Sequence, residues 1–200
     1  MAFIGLRYPV AATFSQSADG TMPTYSNGVV IGRAIQANLT KTHNSNPLYA
    51  DDIIDEDDNS LTAMSLSMGL NDLLDDQRAF LLGDIAVTSG DGNSATATGE
   101  YDEGGVGSSP VGFGYIRVRR KGGLTKYQAV WYWKMLFSED SEGTQTKGEN
   151  IEWQTPTLTG RAHGCFIDDS GVAKFRRRKT FDTEAEAKAW LNTKANVPSL

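Results

Sequence analysis

His163 and Cys165 pair a potential base with the chain's one thiol; the only other histidine is His43. Two residues apart on a strand, both side chains would share a face, which is how a base meets a nucleophile. Nothing around them adds an orienting group or a second pair of metal ligands, so structural strand residues are the plainer reading. A second candidate is the acid run Asp51, Asp52, Asp55, Glu56, Asp57 and Asp58. Six carboxylates attract cations, but the run lacks the alternating oxygen ligands, central glycine and terminal glutamate of a calcium loop. It reads better as a solvated or subunit-facing acidic loop. Two basic clusters complete the set: Arg119, Arg120, Lys121, and Arg176, Arg177, Arg178, Lys179. They have the charge to touch phosphate, yet they are short and sit in an acidic chain. Ion pairing with neighbouring acids, or a solvated face, is the better expectation. The stretch GVVIG at 28–32 has neither the lysine nor the helix of a phosphate-cradling loop. No catalytic residue, metal site or cofactor is expected.

The elements that would position these groups are mostly strands. Residues 29–43 alternate, with Ile31, Ile35, Ala37 and Leu39 on one face. Residues 60–70 alternate again, with Met64, Leu66, Met68 and Leu70 facing in. Between them, Pro47 breaks the pattern, and residues 44–59 read as a long acidic loop of the kind usually kept for function. Residues 75–82 suit a short helix: Asp75 and Asp76 favour its positive end and Gly83 its stop. Residues 85–88 read as a short strand and 89–110 as a flexible Gly/Ser-rich loop. Two β-rich runs flank Gly122-Gly123, a strong hairpin signal. In the second run Tyr127, Ala129, Trp131, Trp133, Met135 and Phe137 form one face, while Val130, Tyr132 and Leu136 make the other partly apolar. A strand apolar on both faces is sandwiched, either inside one domain or against another subunit. Residues 151–164 read as a strand interrupted at Pro156, and 172–181 as a short strand. Residues 183–192 read as a helix with a Thr183/Glu186 capping box and a stripe of Ala187, Trp190 and Leu191. Residues 1–28 show no clear period and read as an extended N-terminal arm with turns.

Composition bounds the rest. Two hundred residues suit a single domain, here 29–200 with the arm attached. Nineteen Lys+Arg against 25 Asp+Glu leave a formal charge of -6, a poor basis for gripping nucleic acid. One cysteine cannot form an internal disulfide, which favours a thiol-reducing compartment. No apolar run is long enough to span a membrane as a helix, and residues 1–10 lack the features of a signal peptide. The residues alone thus imply a mainly β (α+β) domain with surplus apolar strand surface, suited to self-assembly.

The segments PTYSNGVVIGRAIQANL, NPLYADD, IDEDDNS, VGFGYIRVRRKGG, YQAVWYWK, TKGENIEWQTPTLTG and TFDTEAEAKAWLN, in this order, resemble the major tail proteins of long-tailed phages, closest to the phi13-type family of Gram-positive hosts. The resemblance spans residues 5–196. It implies a β-sandwich or barrel with a helix packed on its side, and a non-enzymatic virion protein. Such chains form rings, generally of six, that stack into the tail tube through which DNA is delivered. It further implies homo-oligomer contacts, partners among the tape-measure, tail-terminator and distal-tail proteins, and DNA in the lumen without specific binding. The implied location is the virion tail, with host cytoplasm during assembly and no membrane partner. By motif, the ring-stacking candidates are Asn46, Pro47, Leu48, Tyr49, Ala50, Asp51 and Asp52, with the arm 1–28 a second. The strand Tyr127, Ala129, Trp131, Trp133, Met135 and Phe137 is the expected subunit-interface or core strand. The alternative is an acidic β-module that binds carbohydrate or a host surface, with Trp131, Trp133 and Trp153 stacking sugars.

Overall fold

The structure, a computed structural model, describes residues 2–16, 22–89, 96–104, 107–139, 143, 146, 155–165 and 170–198. The described residues are mainly β with two helices. The strands are β1 (Ala2–Ser15), β2 (Thr24–Val30), β3 (Ala34–His43), β4 (Pro47–Ala50), β5 (Ile53–Asp57), β6 (Leu61–Leu70), β7 (Ile85–Ser89), β8 (Thr96–Asp102), β9 (Val111–Lys121), β10 (Leu124–Ser138), β11 (Thr157–Ala162) and β12 (Arg176–Phe181). The helices are α1 (Asp75–Leu82) and α2 (Glu184–Ala195).

One antiparallel sheet organises the chain, in the order β2-β1-β9-β10-β11-β6-β3. Strand β10 is long enough to carry two partners on one edge: residues 127–132 pair with β12 and residues 135–138 with β11. The sheet curls around a first core built from Leu66, Met68, Phe113, Tyr115, Tyr132 and Phe137, with α1 adding Leu81. Its two ends approach where β1 lies beside β3 without a hydrogen-bonded ladder. A second core lies on the outer face, where Ala187, Leu191 and Ala195 of α2 cover Val10, Ile116, Ala129, Trp131 and Trp133. The helix starts as its sequence dictates: Thr183 Oγ1 accepts from the Glu186 backbone N–H, and Glu186 Oε2 accepts from the Thr183 N–H. Close packing beneath it needs glycine. A Cβ on Gly114 would stand 2.7 Å from both Leu191 Cδ2 and Trp131 Cε3.

Several expectations change. Within the segment expected as an arm, residues 2–15 and 24–28 are strands of the main sheet. β1 pairs with β9 along its length and with β2 over residues 10–15, and Val10, Ala11 and Ala12 are fully buried. Sequence inspection misses this because its partner is a hundred residues away. The strand expected at 29–43 is two strands, broken at 31–33, where the Arg33 N–H bonds Asn71 Oδ1 at 2.7 Å. Ile35 is exposed rather than inward, because a bulge between Ala34 and Gln36 shifts the alternation by one residue. The same device acts in β10. Tyr127, Ala129, Trp131 and Trp133 face α2, but an irregularity between Tyr132 and Met135 turns Met135 and Phe137 into the inner core. These six therefore do not share one face. Five of them are buried inside the chain and Tyr127 is half-buried, so they form core rather than a surface open to a neighbouring subunit. The acidic loop at 44–59 is a β4–β5 hairpin. The loop at 89–110 contains β8, paired with β7; residues 90–95 and 105–106 lie outside the described residues. Most of KGENIEWQTPT also lies outside them, and the next strand begins after Pro156.

Candidate functional site

The β4–β5 hairpin leaves the sheet between β3 and β6. Asp51 and Asp52 form its turn with φ of 50° and 66°. Two successive left-handed residues are the two-residue turn that matches strand twist, and Asp tolerates that region better than most residues. All of β5 is exposed. Leu48, Tyr49, Ile53 and Ile54 each show more than half of their surface to solvent, Ile53 the most at 68%. Asn46 is exposed just before β4 and Pro47 opens that strand half-buried; Ala50 closes it. Motif resemblance thus marks one strand and the turn. It leaves out Ile53 and Ile54 on the returning strand, whose signal is an apolar pair set among acids.

The base of the hairpin is locked by Asp58. Its carboxylate accepts from Asn44 Nδ2 at 2.7 Å, from the Ser60 N–H at 3.0 Å and from Ser60 Oγ at 3.3 Å. Those donors, Asn44 first, hold Asp58 below the usual carboxylate range. The folded form is therefore favoured by ionised Asp58. This contribution is complete above the ordinary carboxylate pKa and is lost as pH falls through the lowered folded value. The protection factors of β4 and β5 amides, taken relative to the intrinsic exchange rate at each pH, are expected to fall below about pH 4 in the native chain. In Asp58→Asn these protection factors are expected to be low at all pH values; a fall with pH like the native one would contradict the assignment.

Of the two expectations for the basic clusters, the solvated face is the one seen among the described residues: Arg120, Lys121, Arg177, Arg178 and Lys179 are exposed. Among the described residues, the ion pairs recorded join Arg7 and Lys188 to Glu184, Lys126 to Asp182, and Arg78 to Asp84, Glu103 and Glu139. Four guanidiniums of β9 and β12 lie on aromatic rings. Arg117 and Arg119 stand 4.4 and 5.5 Å from the Phe3 ring centroid, Arg176 lies 5.9 Å from Tyr132, and Arg177 lies 4.9 Å from Trp133. Strand pairing sets Arg178 opposite Val130 and Arg176 opposite Tyr132, which places both on the face that carries Arg117.

His163 and Cys165 do not form a catalytic strand pair. β11 ends at Ala162, one residue before the histidine. Cys165 bridges to Lys174 and is buried with Trp133 under α2. His163 lines an open cavity of about 660 Å³ together with Arg78, Asp84, Glu139 and Arg161. Burial raises the thiol and lowers the imidazole, so neither carries a useful charge near neutrality. Among the described residues, no cluster of three His, Cys, Asp or Glu is placed to hold a metal ion. Trp131 and Trp133 have no exposed ring face for a sugar; Trp153 lies outside the described residues. No described helix is long and apolar enough to cross a membrane.

What remains at the described surface is an apolar, acidic hairpin and a basic strand face whose Arg117, Arg119, Arg176 and Arg178 join none of the ion pairs recorded among the described residues. No protein-family model matches this chain, and a search of curated proteins finds no match to it.

Proposed function

We propose that this chain is a structural subunit of a long-tailed phage tail tube, which self-assembles into rings, six-membered by the resemblance, that stack into a conduit for DNA. The observation that carries the reading is the projecting β4–β5 hairpin, with Leu48 and Tyr49 exposed in the segment that the resemblance associates with ring stacking and Ile53 and Ile54 exposed on the strand after it. An isolated two-stranded hairpin is marginal in water, and an apolar tip of this kind marks an interaction surface. Contact between such an element and a different surface of an identical chain is heterologous, and closes into rings or propagates along an axis. A curled sheet with a helix on its outer face supports the same reading, being compatible with the β-sandwich or barrel of tail-tube type. The chain's charge of -6 suits a wall that DNA passes without sticking. Tape-measure, terminator and distal-tail proteins are the further partners in this proposal, and the virion tail is the location.

The test is assembly of the purified full-length chain, followed by negative-stain microscopy and sedimentation. Tyr49→Ala is expected to weaken each contact by about 2 kcal/mol, roughly thirtyfold, as loss of a central aromatic anchor does. Its thermal midpoint should match the native chain, because Tyr49 is exposed in the monomer. A native chain that stays monomeric under all conditions, or tubes formed equally well by Tyr49→Ala, would count against the reading.

A further inference from the structure

The basic strand face has the features of a receiving site. Between β1 and β3 lies a groove of about 310 Å³. Phe3, Ile4 and Ile35 form its apolar lips, each more than half exposed, and Tyr115 and Arg117 line it. Arg117 donates to Gln128 Oε1 at 2.6 Å, which fixes the guanidinium beside the groove. The Nε groups of Arg117 and Arg119 are buried without a hydrogen-bond partner. None of Arg117, Arg119, Arg176 and Arg178 joins the ion pairs recorded among the described residues. Burial, with the nearby Arg176 and Arg178 charges adding to it, holds Arg117 below the ordinary guanidinium value. Like charges crowded this way oppose folding of the isolated chain and are relieved by an anionic occupant.

The occupant must be acidic and must also bring apolar side chains for the groove. The hairpin meets both demands: it projects Leu48, Tyr49, Ile53 and Ile54, with Asp55, Glu56 and Asp57 exposed beside them. We propose that the β4–β5 hairpin of one copy seats in the β1–β3 groove of a second copy, with its carboxylates on Arg117, Arg119, Arg176 and Arg178. This inference rests on the self-assembly reading and names the surface that receives the hairpin. Nucleic acid is the competing polyanion. It offers no apolar match to Phe3, Ile4 and Ile35, and the net charge of -6 opposes its approach.

Charge reversal on the full-length chain tests the pairing. Asp55→Lys/Asp57→Lys and Arg119→Glu/Arg178→Glu are each expected to weaken association about tenfold or more, measured by sedimentation velocity. The chain carrying all four changes is expected to recover assembly, because the reversed charges again match. Near-UV circular dichroism and thermal midpoints establish that each variant is folded. If the native chain forms tubes and both double variants form them equally, the pairing is overturned while the tail-tube reading stands. A folded four-change chain that fails to assemble also overturns it. A native chain that never assembles overturns both. The native chain is expected not to retain a labelled DNA oligonucleotide at about 0.15 M salt. Retention that Arg119→Glu/Arg178→Glu abolishes would assign the face to nucleic acid instead.

Discussion

Trp131→Ala is expected to destabilise the chain by about 3–5 kcal/mol, read as a lower urea midpoint with an unchanged slope. Trp131 is fully buried at the centre of the outer core. Tyr25 meets it edge-on, with ring centroids 5.0 Å apart and planes at 90°. Tyr25 is itself pinned, since its hydroxyl donates to the Trp133 carbonyl at 2.8 Å, and burial raises its phenol above the ordinary range. On its other side the indole lies against Gly114, whose missing Cβ leaves the space that Leu191 shares. Truncation therefore opens a cavity between a strand and α2 that neither can close without breaking β9–β10 pairing or the helix contact. Domains of this size are stable by about 5–15 kcal/mol, so this change removes a large fraction of the total. Trp131→Phe retains part of the filling and is expected to cost less than half as much. A loss below about 1 kcal/mol for Trp131→Ala would show that the outer core is not packed as described.

Arg78→Ala is expected to cost about 2–4 kcal/mol and to expose the segment between α1 and β9 to protease. Arg78 sits on α1 and gathers three carboxylates from different parts of the chain. Its Nε lies 3.4 Å from Asp84 Oδ2, its Nη2 lies 2.7 Å from Glu103 Oε1, and its Nη1 bonds Glu139. Burial alone would lower the guanidinium, yet the three carboxylates outweigh it and hold Arg78 above its ordinary value. Asp84 and Glu139 keep only about a tenth of their side chains exposed, so removing the cation leaves two shielded carboxylates without it. The site opens onto the cavity beside His163 and Arg161, which keeps the expected loss below the full penalty for a sealed pair. Arg78→Lys retains the charge but not the three-way fork, and is expected to fall between the two. Equal protease resistance in native and Arg78→Ala chains would remove this residue as the clamp of that segment.

Features set by neighbours in sequence were legible beforehand. The Gly122-Gly123 turn, the alternation of Met64 to Leu70 and the Thr183/Glu186 box each encode their geometry within a few residues, and the structure has all three. Features set by distant partners were not. The pairing of β1 with β9 leaves no local period, because β1 is irregular near Arg7 and carries Tyr8 at a φ of 55°. Bulges at Ala34–Gln36 and at Tyr132–Met135 each reverse which side chains face inward, and neither has a residue signature. The hairpin at 47–57 was hidden because Asp-Asp is a less common turn pair than Asn-Gly or Asp-Gly. Its position and acidity were nevertheless readable, as was Tyr49. The arginine clusters were legible as charge and as a solvated face, but composition gave no sign that aromatic rings would lie beside Arg119, Arg176 and Arg177.

The place of β1 in the sheet sets an order on synthesis. Its inner neighbour β9 emerges from the ribosome roughly a hundred residues later, which at about 5–20 residues per second is a wait of several seconds or more. Until then β1 has only β2 beside it, and the edge that will accept β9 is an open row of backbone donors and acceptors next to Val10, Ala11 and Ala12. A nascent chain stalled before β9 has emerged thus displays an edge that the finished sheet buries. Under the self-assembly proposed above, that exposed edge makes the ribosome-bound fragment the form most in need of a chaperone.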